Sequence, residues 1–154
     1  MIQKWRISDN FPEDQLNDPN SLETLIEDRS WEHSISIEEN NAANISWVSS
    51  KSDGDGNTVF ARIFIDSETD QTKLFDFGYS DRVVAILNGK AIYRGNNKWR
   101  TRDYRYLGTV GFFDSIYLDL KKGKNTILFA VSEDFGGWGI TGKFSDFDGI
   151  EINH

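Results

Sequence analysis

The chain has 154 residues, a formal charge of −8 and no cysteine. That length suits one domain able to bury roughly two-thirds of its unfolded surface, while disulfides and cysteine-ligated zinc are excluded. A pI near 4.7 speaks against nucleic acid or an anionic membrane as partner.

The N-terminus, MIQKWRISDNFPED, has no signal-peptide core, and no apolar run reaches the length of a membrane span, which leaves the compartment open. Residues 1–43 read as a less regular arm. Its first forty residues carry ten acidic and three basic side chains, a net of −7, expected to be solvated loops or to lie against a basic segment further on. KWRIS (4–8) and NISWVS (44–49) read as strands, and SLETLIED (21–28) as one short helix.

From residue 59 the pattern becomes short strands punctuated by turns. VFARIFI (59–65) sets Ala61, Ile63 and Ile65 on one face and Phe60, Arg62 and Phe64 on the other. TKLFDFG (72–78) follows. RVVAILNGKAIYRG (82–95) places Asn88-Gly89 between two apolar runs, the signal of a two-residue type I′ hairpin. SIYLDL (115–120) and TILFAVS (126–132) flank Lys121–Asn125, where Gly123 supplies the positive φ of a turn. WGITGKF (138–144) and GIEI (149–152) close the series.

This spacing predicts an all-β chain, an antiparallel sandwich over 44–152 with helix below about a tenth of residues. Eleven Phe, five Trp and five Tyr against one Met suit such a core. Its expected buried residues are Ala61, Ile63, Ile65, Leu74, Val84, Ile86, Ile116, Leu118, Ile127, Phe129 and Val131.

The stretch from Val59 to Phe144 resembles a galactose-binding-like jelly-roll domain. The residues that carry the likeness are VVAILNGKAIYRG, LKKGKNTILFAVS and FGGWGITGKF: a strand ending in NG, a variable loop, then L-x-x-G-x-N opening the next strand. Such domains occur as carbohydrate-binding modules and as sugar-binding domains of family-two glycoside hydrolases. The resemblance implies a jelly-roll sandwich and a carbohydrate-binding accessory role, and it leaves a structural calcium open, since relatives hold one through carbonyls and a few acids. It carries no ligand residue over to a matching position.

Candidate chemistry is sparse. His33 and His154 are the only histidines, and no G-x-S-x-G occurs, so neither a triad nor a zinc site is written here. SDGDGN (52–57) fails as an EF-hand, because a loop starting at Asp53 would put Phe64 where a bidentate Glu belongs, and it reads as a polar turn. Asp81, just before a strand, reads as a turn-fixing residue.

Residues 94–105 carry five cations against one acid, a local +4 in an acidic chain, with aromatic rings interleaved. Trp99, Arg100, Arg102, Asp103, Tyr104 and Arg105 are therefore candidate ligand residues, with Asp134 and Trp138 of EDFGGWG completing a cleft. The same rings and arginines could instead pin a long connection, and Trp138 could pack into the sandwich rim. The reading is a non-enzymatic module, without cofactor or metal ligand residues, that binds carbohydrate or a related polyol or acidic ligand. The alternative is a structural or protein-docking domain of a larger hydrolase.

Overall fold

The computed structural model describes residues 1–50, 55–97 and 110–154. Its framework is a pair of ten-residue strands, β4 (Thr58–Ser67) and β9 (Gly123–Ser132), matched in register from Thr58↔Ser132 to Ser67↔Gly123. Around them one antiparallel sheet runs in the order β2 (His33–Ser36), β1 (Lys4–Ile7), β4, β9, β6 (Arg82–Leu87), β7 (Lys90–Asn96), with β11 (Ile150–Asn153) also on β4. The facing sheet runs β3 (Ala43–Asn44), β10 (Gly139–Phe144), β5 (Gln71–Ser80), β8 (Asp114–Leu120). The two sheets form an open sandwich rather than a barrel.

Alternation decides what lies between them. Ala61, Ile63 and Ile65 of β4 and Ile127, Phe129 and Val131 of β9 face the second sheet and are fully buried. Phe129 is the hub. Its ring meets Trp5 edge-on at 5.8 Å and lies 5.6 and 5.2 Å from Phe75 and Phe77. Such ring pairs add dispersion and quadrupole attraction to the area they bury.

The first sheet is also apolar on its outer side. Phe60, Val84, Ile86, Leu128 and Ala130 form a second cluster beneath Phe11, Leu16, Leu22 and Leu25 of the arm. The helix α1 (Leu22–Glu27) contributes its two leucines to this layer. Arg62 shares that face, its guanidinium 4.0 Å from the Trp31 ring centre and 4.5 Å from that of Phe64. Flat cation on flat ring lets a charge sit beside an apolar layer.

Several expectations need correction. Val84 and Ile86 are buried, but under the arm; Val83, Ala85 and Leu87 are the β6 residues in the sandwich interior. RVVAIL is apolar on both sides because both sides are covered, so alternation could not choose a face. Leu74 is half-buried, since Phe75, Phe77 and Tyr79 take the inward face of β5 and leave Leu74 beside Asp76; Ile116 is half-buried as well.

NISWVS does not form the expected strand. After the short β3, Asn44 accepts the Ser46 N–H at 3.1 Å, and this local bond turns Ile45–Trp47 into a 3-10 helix. Together with Glu13–Asn17 and Pro19–Ser21, such turns raise helix to 12% of the described residues, slightly above the expected tenth. The strand β2 within the arm was not expected at all.

The NG hairpin forms as read, whereas β8 and β9, expected to repeat that arrangement across Lys121–Asn125, lie in different sheets. Asn88 and Gly89 have φ of 49° and 83°, as a type I′ turn requires, and Leu87 pairs with Lys90 across it. Asn125 of L-x-x-G-x-N is fully buried. Its Oδ1 accepts the Lys121 N–H at 2.9 Å, and its Nδ2 donates to the carbonyls of Lys121 at 2.7 Å and Gly123 at 3.0 Å. Asn88 Nδ2 also donates to Asn125 Oδ1 at 3.0 Å, so one amide ties both turns together.

Asn125→Ala should lower the unfolding free energy by about 2–3 kcal/mol, because several buried backbone groups lose their partner. Gly89→Val should cost about 1–2 kcal/mol through φ strain alone, since a Cβ there meets nothing within 4 Å. Urea titration of both variants checks this; equal stability of Gly89→Val and wild type would mean the turn relaxes freely.

Candidate functional site

The registers bring seven strand ends to one end of the sandwich. Thr58, Arg82, Asn96 and Ser132 line up in the first sheet, and Ser80 and Gly139 in the second, with Asp114 close by on β8. Polar loops meet there, and their hydrogen bonds are dense.

Asp81, 5% exposed, is the junction. Its Oδ2 accepts two consecutive backbone N–H groups, from Asp134 at 2.7 Å and Phe135 at 3.1 Å, and its Oδ1 accepts the Ser80 hydroxyl at 3.1 Å. Its own N–H donates to Ser132 O at 2.8 Å, and its carbonyl accepts the Asn97 N–H at 2.7 Å. The turn-fixing role read from sequence is met on a distant loop rather than on its own turn.

Arg82 clamps two elements at once. Its Nε and Nη2 donate to the two Glu13 oxygens at 2.7 and 2.6 Å, while Nη1 and Nη2 grip the Asp134 carboxylate. Asn57 accepts the Glu13 N–H at 3.2 Å and donates back to Glu13 Oε2 at 3.2 Å. The arm is thereby tied to the loop end. These hydrogen bonds from Arg82 hold the Glu13 carboxyl below its ordinary range, against the opposing effect of burial. Nearby, burial and hydrogen bonds to Asp114 and Tyr93 push the Tyr79 hydroxyl pKa up.

Of the residues singled out in sequence, Trp99, Arg100, Arg102, Asp103, Tyr104 and Arg105 lie outside the described residues, as does part of the SDGDGN turn. The residues bordering that basic segment do belong to this end. Asn97 is fixed to Asp81 and donates Nδ2 to Tyr79 O at 3.2 Å. On the other side the backbone of Gly111 lies on Gly78 so closely that a Cβ at position 78 would stand 1.7 Å from the Gly111 oxygen. Asp134 and Trp138 are at the same end, but Asp134 is held by Arg82, and Trp138 is 3% exposed with Nε1 donating to Val131 O at 3.1 Å.

The same end holds an open cavity of about 310 Å³. Its lining includes Val110, Gly137, Trp138 and Gly139 together with Glu38, Asn40 and Asn44. Trp47, absent from the sequence-derived residues, stands beside Glu38. Its ring is 75% exposed, and its Nε1 donates to Glu38 Oε1 at 2.5 Å. Reading NISWVS as a strand hid this ring; the Asn-x-x-Trp spacing of a capped turn was the available signal. The result is a fixed aromatic plane next to a carboxylate and two side-chain amides. Among the described residues, no cluster of three or more His, Asp or Glu is placed to hold a metal ion.

No protein-family model matches the chain, and no curated protein matches it in sequence. Solved structures do. The chain is similar to a β-glucosidase from Kluyveromyces marxianus, solved in complex with glucose, at 14% identity and a TM-score of 0.51. That match covers 93% of this chain and 17% of the enzyme. It is also similar to a family 35 carbohydrate binding module from an environmental isolate, at 14% identity over 62% of this chain and 70% of the module, TM-score 0.43. A third is the PA14 domain of the MpAFP antifreeze protein, at 9% identity over 96% and 82%, TM-score 0.48. The likeness to the β-glucosidase structure is one of fold alone, an antiparallel β-sandwich of the kind expected from the NG hairpin and the L-x-x-G-x-N turn.

The clamp makes a pH-dependent contribution. Because Glu13 is more acidic folded than unfolded, its stabilisation is complete above its ordinary value of 4.5 and is lost as pH falls through the lower folded value. The stability gap between wild type and Glu13→Gln should stay level at neutral pH and narrow below about pH 4.5. Urea unfolding between pH 3 and 7 reads this (range chosen around the carboxylate pKa), and a gap constant throughout would contradict the clamp.

Proposed function

We propose that the chain is a non-catalytic accessory module that binds carbohydrate at the loop end of its sandwich. The observation that carries this is the exposed Trp47 ring, locked by Glu38 at the edge of a cavity with Asn40 and Asn44 in its wall. A pyranose offers an apolar C–H face and a rim of hydroxyls. A flat ring takes the first, and carboxylate and amide oxygens and amide N–H groups take the second. Asp81, Glu13 and Asp134 accept hydrogen bonds from backbone amides or from Arg82, which suits a scaffold.

The glucose named with the similar β-glucosidase structure agrees with this reading. Trp99, Arg100, Arg102, Asp103, Tyr104 and Arg105 belong to the same proposal, because Val110, at the border of their segment, lines the cavity. A second reading, docking to a neighbouring protein domain, is favoured by Tyr117, 72% exposed on the edge strand β8.

Affinity electrophoresis in gels containing xylan, β-glucan, galactomannan or polygalacturonate, with calcium or with EDTA, tests the proposal. Wild type should be retarded by at least one polysaccharide, and Trp47→Ala should lose that retardation. Its unfolding free energy should change by less than about 0.5 kcal/mol, because little of the ring is buried. Retardation by none would favour the docking reading, as would loss of a protein contact in Tyr117→Ala, and retention of retardation by Trp47→Ala would overturn the role of that ring.

A further inference from the structure

On the outer side of the first sheet two arginines stand side by side. Arg6 of β1 is opposite Arg62 of β4 in register, and on its other side it is opposite Ser34 of β2. Directly opposed residues of an antiparallel ladder share a face with Cβ atoms about 5 Å apart, and like charges so placed repel. Burial first, and the charge of Arg6 second, lower the pKa of Arg62. Elsewhere arginines meet carboxylates, Arg29 with Asp9 and Arg82 with Glu13 and Asp134. Among the described residues Arg6 and Arg62 meet none, and the Nε–H groups of both are buried without an acceptor.

The protein uses little of what these two forks offer. Arg6 Nη1 donates to the Trp31 carbonyl at 3.4 Å. Arg62 lies between rings, 4.0 Å from the centre of Trp31 and 4.5 Å from that of Phe64. A ring face attracts the charge and fixes the side chain, yet it leaves the N–H groups in the guanidinium plane for another acceptor. Lys124 adds a third cation, its Nζ 3.9 Å from the centre of the same Phe64 ring. Asp66 is opposite Lys124 in register but accepts Asn153 Nδ2 at 3.4 Å, with Lys124 over the ring instead.

We infer that Arg6, Arg62 and Lys124, with the Ser34 hydroxyl beside Arg6, form a binding site for a tetrahedral oxyanion, sulfate or phosphate, free or as an ester. A carboxylate presents a single charge that one guanidinium fork satisfies. A sulfate or phosphate has more oxygens and close to twice the charge, which matches two forks on neighbouring strands. Trp31 and Phe64 hold the Arg62 side chain beforehand, so binding it costs less side-chain freedom. None of these residues lines the loop-end cavity, and the site stands without the carbohydrate reading.

The test uses the full chain, with the Nε–H signals of Arg6 and Arg62 in proton–nitrogen correlation spectra as reporters. Inorganic sulfate and inorganic phosphate, exchanged for chloride at constant ionic strength, should each shift both signals saturably and compete with one another. Arg6→Gln and Lys124→Gln should each weaken that binding by about tenfold, the scale of one lost charge-assisted bond. Acetate at the same concentration should not saturate the signals, and Trp47→Ala should bind sulfate as wild type does. Glucose-6-sulfate and glucose-6-phosphate separate the sources: tighter binding of an ester than of its free ion assigns an esterified sugar, and the reverse assigns the ion itself.

Shifts that follow ionic strength alone, or saturable binding that both variants keep, overturn the site and leave Arg62 a stacked structural cation. Saturation by acetate at equal affinity overturns the tetrahedral assignment. Should Arg6→Gln fail to fold, Lys124→Gln, at an exposed position, still decides.

Discussion

The sheet built on β4 and β9 is apolar on both faces, and most of the remaining structure answers that condition. One face needs the second sheet; the other needs a cover, which the arm supplies through Phe11, Leu16, Leu22 and Leu25. An uncovered face carrying Phe60, Ile86 and Leu128 would be a large apolar patch of the kind monomeric proteins avoid. The arm is therefore part of the core, although its composition reads as solvent-facing. Its acids stay outside while its leucines and phenylalanine point down, and Arg29 and Arg62 bridge the two zones by lying near Phe11, Trp31 and Phe64.

Covering the sheet also brings the arm to the loop end, and there chain economy becomes chemistry. Glu13 arrives beside Arg82, and the later part of the arm delivers Glu38, Asn40, Asn44 and Trp47 to the cavity. The proposed ligand surface thus combines two distant parts of the sequence, residues 38–47 and 133–139. Neither part carries enough polar and aromatic groups alone. Rigidity comes from Asp81, between β5 and β6, and Arg82, the first residue of β6, which hold both sides through charge-assisted bonds stronger than neutral ones.

How much of this was legible in the sequence follows from the range of each interaction. Asn88-Gly89 and the Lys121–Asn125 turn depend on residues next to one another, and they were readable with their conformations. On β4 the half-buried Arg62 marked the face turned from the second sheet, so the inward side was legible; β6, apolar from Val83 to Leu87, declared neither. Leu74 failed because its competitors for the interior, Phe75 and Phe77, are larger, and size is invisible to alternation. The use of Asp134 was hidden because its partner is set by the fold, Arg82 being 52 residues away, whereas the packing of Trp138 into the sandwich was one of its two readings. Trp47 was missed for a local reason, the Asn44 side chain that bends a strand-like segment into a turn.

The contact of Gly111 with Gly78 has a consequence for how this surface can change. Backbone lies directly on backbone there, and on the other side the Asn97 N–H is tied to the Asp81 carbonyl. Any side chain at position 78 would have to displace the main chain of residue 111, so the seat of that backbone on β5 is closed to gradual change by substitution. The pair works as a keyhole, and hydrogen is the one side chain that fits it.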